Sequence, residues 1–153
     1  MANNKLLITG WDGVRVNLAE LEAKIQRGAM RTAITKAGRV MLAAAKSKAP
    51  IRTGLLKRSL RQKVKTNTKK GEVLTLIGPS RRIQGTDKNG NKVRPARYAH
   101  LVEFGYGRQS PQPFIRPAYE SSKDAALAKY RDELRPAIEQ AAARIGKSFQ
   151  RKK

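Results

Sequence analysis

The chain has 153 residues, the length of one ordinary domain, with 39% hydrophobic and 29% charged residues. Thirty-four Lys and Arg stand against eleven Asp and Glu, a net charge of +23 that calls for an anionic partner, nucleic acid or an acidic protein surface. Cysteine is absent from the sequence, which excludes disulfides, thiolate chemistry and cysteine-built zinc sites, and no apolar run approaches the ~18 residues of a membrane span.

In chain order, Leu6 to Thr9 and Val14-Arg15-Val16 alternate weakly around Gly10-Trp11-Asp12-Gly13 and predict a small hairpin. Met1 to Gly10 lack the charged start and apolar core of a secretory signal. Asn17, with Glu20 three residues on, predicts a capped helix start. Leu18, Leu21, Ile25, Ala29, Ala33, Ala37, Val40 and Ala44 then recur at helical spacing until Pro50 stops the run. Thirty residues make a rod of roughly 45 Å, whose apolar stripe must be covered by the rest of the fold or by a neighbouring subunit. Thr53 predicts the cap of a short second helix with Leu55, Leu56 and Leu60 on its apolar face. Val64 to Thr66 and Val73 to Ile77, joined by a turn at Lys69-Lys70-Gly71, predict an antiparallel pair with one wet, basic face.

Residues 48–97 hold fifteen of the cations and two of the carboxylates. Asn89-Gly90 predicts a hairpin tip with positive φ, in an exposed basic hairpin or arm that carries Arg81, Arg82, Lys88, Lys92, Arg94 and Arg97. Tyr98 to Phe104 is short and apolar on one side, closed by Gly105. Residues 105–113 read as irregular. A second long helix begins near Pro117, with a stripe of Leu127, Tyr130, Leu134, Ile138, Ala141, Ile145 and Phe149, kinked or split at Pro136. The expected fold class is α+β: a long N-terminal helix and a kinked C-terminal helix packed on a small antiparallel sheet, with an extended basic hairpin. Residues 1–120 are expected to form the α+β domain. Residues 121–153 form a C-terminal helix and basic tail, in the same domain or as an oligomer contact.

Enzyme chemistry is poorly supplied. His100 is the only histidine; Glu103, one helical turn away, would orient its imidazole or share a metal, or more simply sit hydrogen-bonded beside a partly buried ring. No phosphate-cradling glycine loop is present, and residues 48–97 offer only Glu72 and Asp87 to a metal-dependent nuclease. No catalytic residue, metal or cofactor is assigned, and no enzymatic activity is expected. Arg52-Thr53-Gly54 reads as a cap and turn, with an anion site at a helix N-terminus as the sharper alternative. The basic hairpin could grip a nucleic-acid backbone, but no aromatic residue lies between positions 12 and 97 to stack on bases.

Two stretches read together carry a resemblance. The first is Ala49-Pro50-Ile51-Arg52-Thr53-Gly54-Leu55-Leu56-Lys57-Arg58-Ser59. The second is Tyr98-Ala99-His100-Leu101-Val102-Glu103-Phe104-Gly105, followed by Pro113-Phe114-Ile115-Arg116-Pro117-Ala118. In this order they resemble a family of small tail-component proteins of long-tailed bacteriophages and prophages, described as minor tail, tail-completion or head–tail junction proteins. The resemblance spans residues 18–120. It implies an α+β fold, no catalysis, and a structural place in the virion at or near the head–tail interface, assembled in the host cytoplasm. It also implies a ring matched to the sixfold symmetry of the tail, a homohexamer. The partners so implied are other copies of the chain, the connector, tail terminator or tail tube, and genomic DNA passing in the bore.

The structural and interface residues carried by the resemblance are Pro50, Arg52, Thr53, Gly54, Leu55, Ser59, Tyr98, Glu103, Phe104, Gly105, Pro113, Phe114, Arg116 and Pro117. Glu103, a carboxylate in an apolar stretch of an arginine-rich chain, is expected to pair with Arg52 or Arg116 and lock the two stretches together. Six copies would carry ~138 positive charges against the ~26 phosphates along ~45 Å of duplex. Most of the charge is therefore expected to face solvent, counterions or acidic neighbours, through the hairpin (Arg81, Arg82, Lys88, Lys92, Arg94) and the strand faces of residues 61–70. The alternative reading is a sequence-independent nucleic-acid-binding protein.

Overall fold

The computed structural model describes residues 11–87 and 89–150. In chain order these form α1 (Trp11–Lys48), α2 (Leu55–Ser59), β1 (Leu60–Asn67), β2 (Glu72–Pro79), β3 (Gly85–Thr86), β4 (Lys92–Val93), α3 (Pro95–Phe104) and α4 (Ile115–Gln150). This is the expected α+β arrangement of two long helices and a small antiparallel sheet.

Small residues four positions apart set how the long helices meet. α1 buries Ala29, Ala33, Ala37, Ala45 and Ala49, the last just beyond its end; α4 buries Ala118, Ser122, Ala126 and Ala137. Positions four apart form one ridge of a helix, and ridges of methyl-sized side chains let two backbones approach closely. The helices run antiparallel. A Cβ on Gly28 would stand 3.9 Å from that of Ala141, Lys36 pairs with Glu133, and Ala45 shares a cluster with Ala118.

The expectations for these helices hold in part. The strand expected at Leu6 to Thr9 lies outside the described residues, but Val14, Val16 and Asn17 are all inside α1, which is already helical at Trp11. Three alternating residues cannot hold a ladder alone, whereas extending an existing helix adds one hydrogen bond per residue. α4 begins at Ile115, which places Pro117 in the first turn as expected, where no N–H is needed; of the two outcomes expected at Pro136 the split does not occur, since the proline lies within one continuous helix. The expected stripe of α4 is also displaced. Leu127 and Ile138 are 48% and 43% exposed, while Tyr130, Leu134 and Ala141 are partly buried; the side chains of Ile145 and Phe149 lie outside the described residues. Tyr130, Leu134 and Ile138 continue the four-residue row of Ala118, Ser122 and Ala126, and that row is fully buried only where its side chains are small.

The β1–β2 hairpin lies across α1. Its register pairs Gln62 with Ile77, Val64 with Thr75 and Thr66 with Val73. Because side chains alternate, these residues share one face, and Arg61, Lys63, Lys65, Leu74 and Leu76 share the other. Gln62 fastens the inner face: its Nε2 donates to the carbonyls of Ile34 at 3.3 Å and Thr35 at 3.2 Å and to Oγ1 of Thr75 at 3.0 Å. Gly38 makes this approach possible. A Cβ there would collide with the Gln62 side chain and stand 2.9 Å from Thr75 Oγ1.

Gly38→Ala should therefore destabilise the fold by about 1–3 kcal/mol, although alanine in a helix interior is ordinarily worth about 1 kcal/mol over glycine. Gly28→Ala, whose nearest neighbour is 3.9 Å away, should stabilise it by about 0.5–1 kcal/mol. Thermal unfolding of the two variants checks the opposite signs.

The polar insert forms a second hairpin, pairing Gly85 with Val93 and Thr86 with Lys92. Its tip is not the expected two-residue turn, since among the described residues only glycines have positive φ, and here that is Gly90 at 81°. The tip is instead held by Asp87, whose carboxylate accepts the N–H groups of Asn89 at 2.9 Å and Asn91 at 2.8 Å. The Asn91 N–H draws the Asp87 carboxyl below its usual range against the opposing effect of burial, with help from the Asn91 side chain, the Asn89 N–H and the Arg52 charge. Nor is the hairpin a free arm: a Cβ on Gly85 would lie 2.7 Å from Leu55, so its base is seated on the core.

Candidate functional site

The site is a joint between the two sequence stretches, and it begins where α1 stops. Beyond Pro50 the chain turns back at Gly54, whose φ of 68° is left-handed and suits glycine. Gly54 occupies the cap position of α2 that Thr53 was expected to take; Thr53 lies one residue outside and its Oγ1 accepts the Leu55 N–H at 3.4 Å. α2 then drops Leu55, Leu56 and Ser59 inward, and Leu60, the first residue of β1, is completely buried. The Ser59 hydroxyl donates to the Leu56 carbonyl at 2.7 Å, which removes the cost of burying it.

The second stretch arrives through α3, with Pro95 in its first turn and Gly105 at its end, φ 79°. A Cβ at Gly105 would stand 2.8 Å from the Gln109 carbonyl oxygen, so the turn requires glycine. Tyr106 and Gln109 exchange backbone hydrogen bonds across that turn, and the Gln112 N–H donates to the Val102 carbonyl at 2.8 Å. The chain is thereby folded back so that Phe114 enters the core beneath α3. Fully buried, Phe114 packs with Leu56, Leu60 and Ala99, and with Ala45, Ala49 and Ala118 from the ends of the long helices.

Glu103 closes the joint. Its Oε2 accepts the N–H groups of Phe114 at 2.8 Å and Ile115 at 3.0 Å, and its Oε1 accepts that of Arg116 at 3.0 Å. These are the cap residue and the first turn of α4, where N–H groups have no partner within the helix. A carboxylate on α3 thus caps a different helix, with its charge set against the positive end of that helix's dipole. Burial pushes the Glu103 carboxyl upward, but the three backbone donors, helped by the nearby Arg116 charge, hold it below the usual glutamate value of 4.5.

The expected arginine pair is therefore corrected: no salt bridge joins Glu103 to Arg52 or Arg116, and both arginines are exposed. Three donors already fixed by the helix need no flexible side chain to be ordered, so they outcompete a guanidinium. His100 is likewise exposed rather than partly buried, and both Glu103 oxygens are directed at α4 instead of its ring.

Of the remaining expected residues, Leu55 and Ser59 are buried; Pro50, Gly54, Tyr98, Gly105 and Pro117 are partly buried; and Thr53, Phe104 and Pro113 are exposed. Arg81, Arg82, Lys92 and Arg94 are exposed along the insert, and Lys88 lies outside the described residues. Gly38, Gln62 and Gly85 were missed. A glycine in the middle of a long helix was the available signal for the first.

Two hollows flank α3. One, of about 860 Å³, lies between Pro50 to Gly54, the insert at Thr86, Asp87, Asn89 and Val93, and Tyr98, Leu101 and Val102 of α3. Burial pushes the Tyr98 phenol up there. The other, of about 560 Å³, is bordered by His100, Phe104, Ile115 and Tyr119. Around the joint Ile51, Phe104 and Tyr106 are 72%, 69% and 73% exposed. Among the described residues no three His, Cys, Asp or Glu side chains stand together as metal ligands, and no helix is long and apolar enough to cross a membrane.

Residues 12–105 match the family model described as "Bacteriophage HK97-gp10, putative tail-component". No curated protein and no solved structure matches the chain. The matched span covers α1, both hairpins and α3 and ends at Gly105, the turn that returns the chain to the core. It covers more than half of the sequence, and the chain belongs to the HK97 gp10-like family of bacteriophage tail components.

Proposed function

We propose that this chain is a non-catalytic virion protein that completes the tail or joins it to the head, working as a ring of identical copies between neighbouring neck and tail proteins. The observation that carries the reading is the Glu103 joint. It spends the best-placed carboxylate of the molecule on fixing the angle at which α4 leaves the core, not on presenting a reactive group. A building block needs that rigidity, because errors in angle accumulate around a closed assembly. The exposed Ile51, Phe104 and Tyr106 beside the joint support it further, being large apolar groups of the kind that anchor protein interfaces. The exposed side chains of α4 that do not meet α1 would serve as a contact between copies, and Arg81, Arg82, Lys92 and Arg94 as contacts to acidic neighbours or to DNA in passing.

Imaging particles from a phage lacking the chain tests this. Full heads beside finished, detached tails are the expected result for a joining protein. Absent tails would assign it an earlier step, and normal infectious particles would end the proposal. For independent nucleic-acid binding, the alternative signature is duplex affinity of the isolated chain whose logarithm falls steeply with the logarithm of salt concentration.

A further inference from the structure

We infer that the outward face of the β1–β2 hairpin is a docking surface for an acidic protein, on which a row of carboxylates runs beside a row of apolar side chains. The inference rests on the assembly role proposed above and assigns one of its contacts. The register places Lys63 opposite Leu76 and Lys65 opposite Leu74, with Arg61 next along the first strand. Cations thus line one strand and leucines the other, the two rows about 5 Å apart and the members of each row about 7 Å apart. Leu74 and Leu76 are 52% and 48% exposed. The opposite face of the same hairpin is already covered by α1, through Gln62.

Charge decides the occupant. The ion pairs among the described residues lie on α1 and α4, and none includes Arg61, Lys63 or Lys65. A second copy docked through this face would bring like cations together, which disfavours it. Duplex DNA would satisfy the cations but would leave both leucines facing phosphate and water. A protein surface with carboxylates over Arg61, Lys63 and Lys65 and apolar groups over Leu74 and Leu76 satisfies both rows at once.

The test uses phage encoding two double variants, Lys63→Glu with Lys65→Glu, and Leu74→Thr with Leu76→Thr. Both keep strand-compatible residues on an outward face, and far-UV circular dichroism and thermal unfolding of the purified chains confirm that the fold is intact. The amount of chain in purified particles is expected to fall about ten-fold or more for each pair. Suppressors of the lysine pair are expected as acidic-to-basic changes in another virion protein. Wild-type incorporation of either variant overturns the inference while leaving the assembly role standing. So do suppressors confined to this chain, which would point to a second copy. Loss with the lysine pair but not the leucine pair would point to a purely electrostatic contact such as DNA, and also overturns it. Absence of the wild-type chain from particles overturns both proposals.

Discussion

Glu103→Ala is expected to lower the stability of the fold by about 2–4 kcal/mol, a fall in Tm of roughly 5–15 °C. The substitution leaves the N–H groups of Phe114, Ile115 and Arg116 without their acceptor at a buried helix end. A lost side-chain cap ordinarily costs about 0.5–2 kcal/mol, and each buried donor left unpaired adds to it. Glu103→Gln keeps one carbonyl oxygen but removes the charge, and should recover about half of the loss.

The same residue sets a pH dependence whose sign follows from its depressed pKa. The unfolded chain takes up the proton first, so the contribution is complete above the ordinary value of 4.5 and disappears as pH falls through the lower folded value. Glu133, held down by hydrogen bonds from Lys36 and Lys129, titrates with the same sign, as does Asp87. Wild type should therefore lose Tm on acidification more steeply than Glu103→Gln, and the difference between the two curves isolates Glu103. Thermal unfolding between neutral pH and pH 3 measures it. Parallel curves would mean that the carboxylate is as well solvated in the folded chain as in the unfolded one.

Features decided by local backbone chemistry were legible in the sequence. Pro50 ends α1 nearby, Gly105 closes α3, and the Lys69-Lys70-Gly71 turn joins two strands in the expected antiparallel sense. Each depends on a few neighbouring residues whose allowed φ and ψ are restricted. Features decided by a distant partner were not. Leu127 and Ala126 sit on adjacent positions of one helix, and only the closeness of α1 explains why alanine is buried and leucine exposed. Gly38 was not singled out in the sequence, because its reason is Gln62, in a different element. Glu103 was recognised as a locking residue, but composition pointed to arginine. The actual partners are backbone N–H groups, which every residue but proline carries, so no residue type announces them.

Phe114→Ala should be the most damaging single change in the molecule, costing about 3–5 kcal/mol, with Phe114→Leu retaining much of the volume and losing less than half as much. The ring is completely buried among Leu56, Leu60, Ala99 and Ala118, so its removal leaves a cavity that small, fixed alanines cannot fill. Its backbone N–H is also one of the Glu103 donors, so the hydrophobic anchor and the helix cap act on the same turn. If α4 swings when the ring is lost, the cap is broken as well, and the double variant Phe114→Ala with Glu103→Ala should lose about 1–2 kcal/mol less than the sum of the singles. Denaturant unfolding of the four proteins closes this cycle. Additive losses would mean that anchor and cap hold α4 independently. Sub-additive losses would mean that they form one cooperative joint, in which any change at the core is carried directly into the direction of α4.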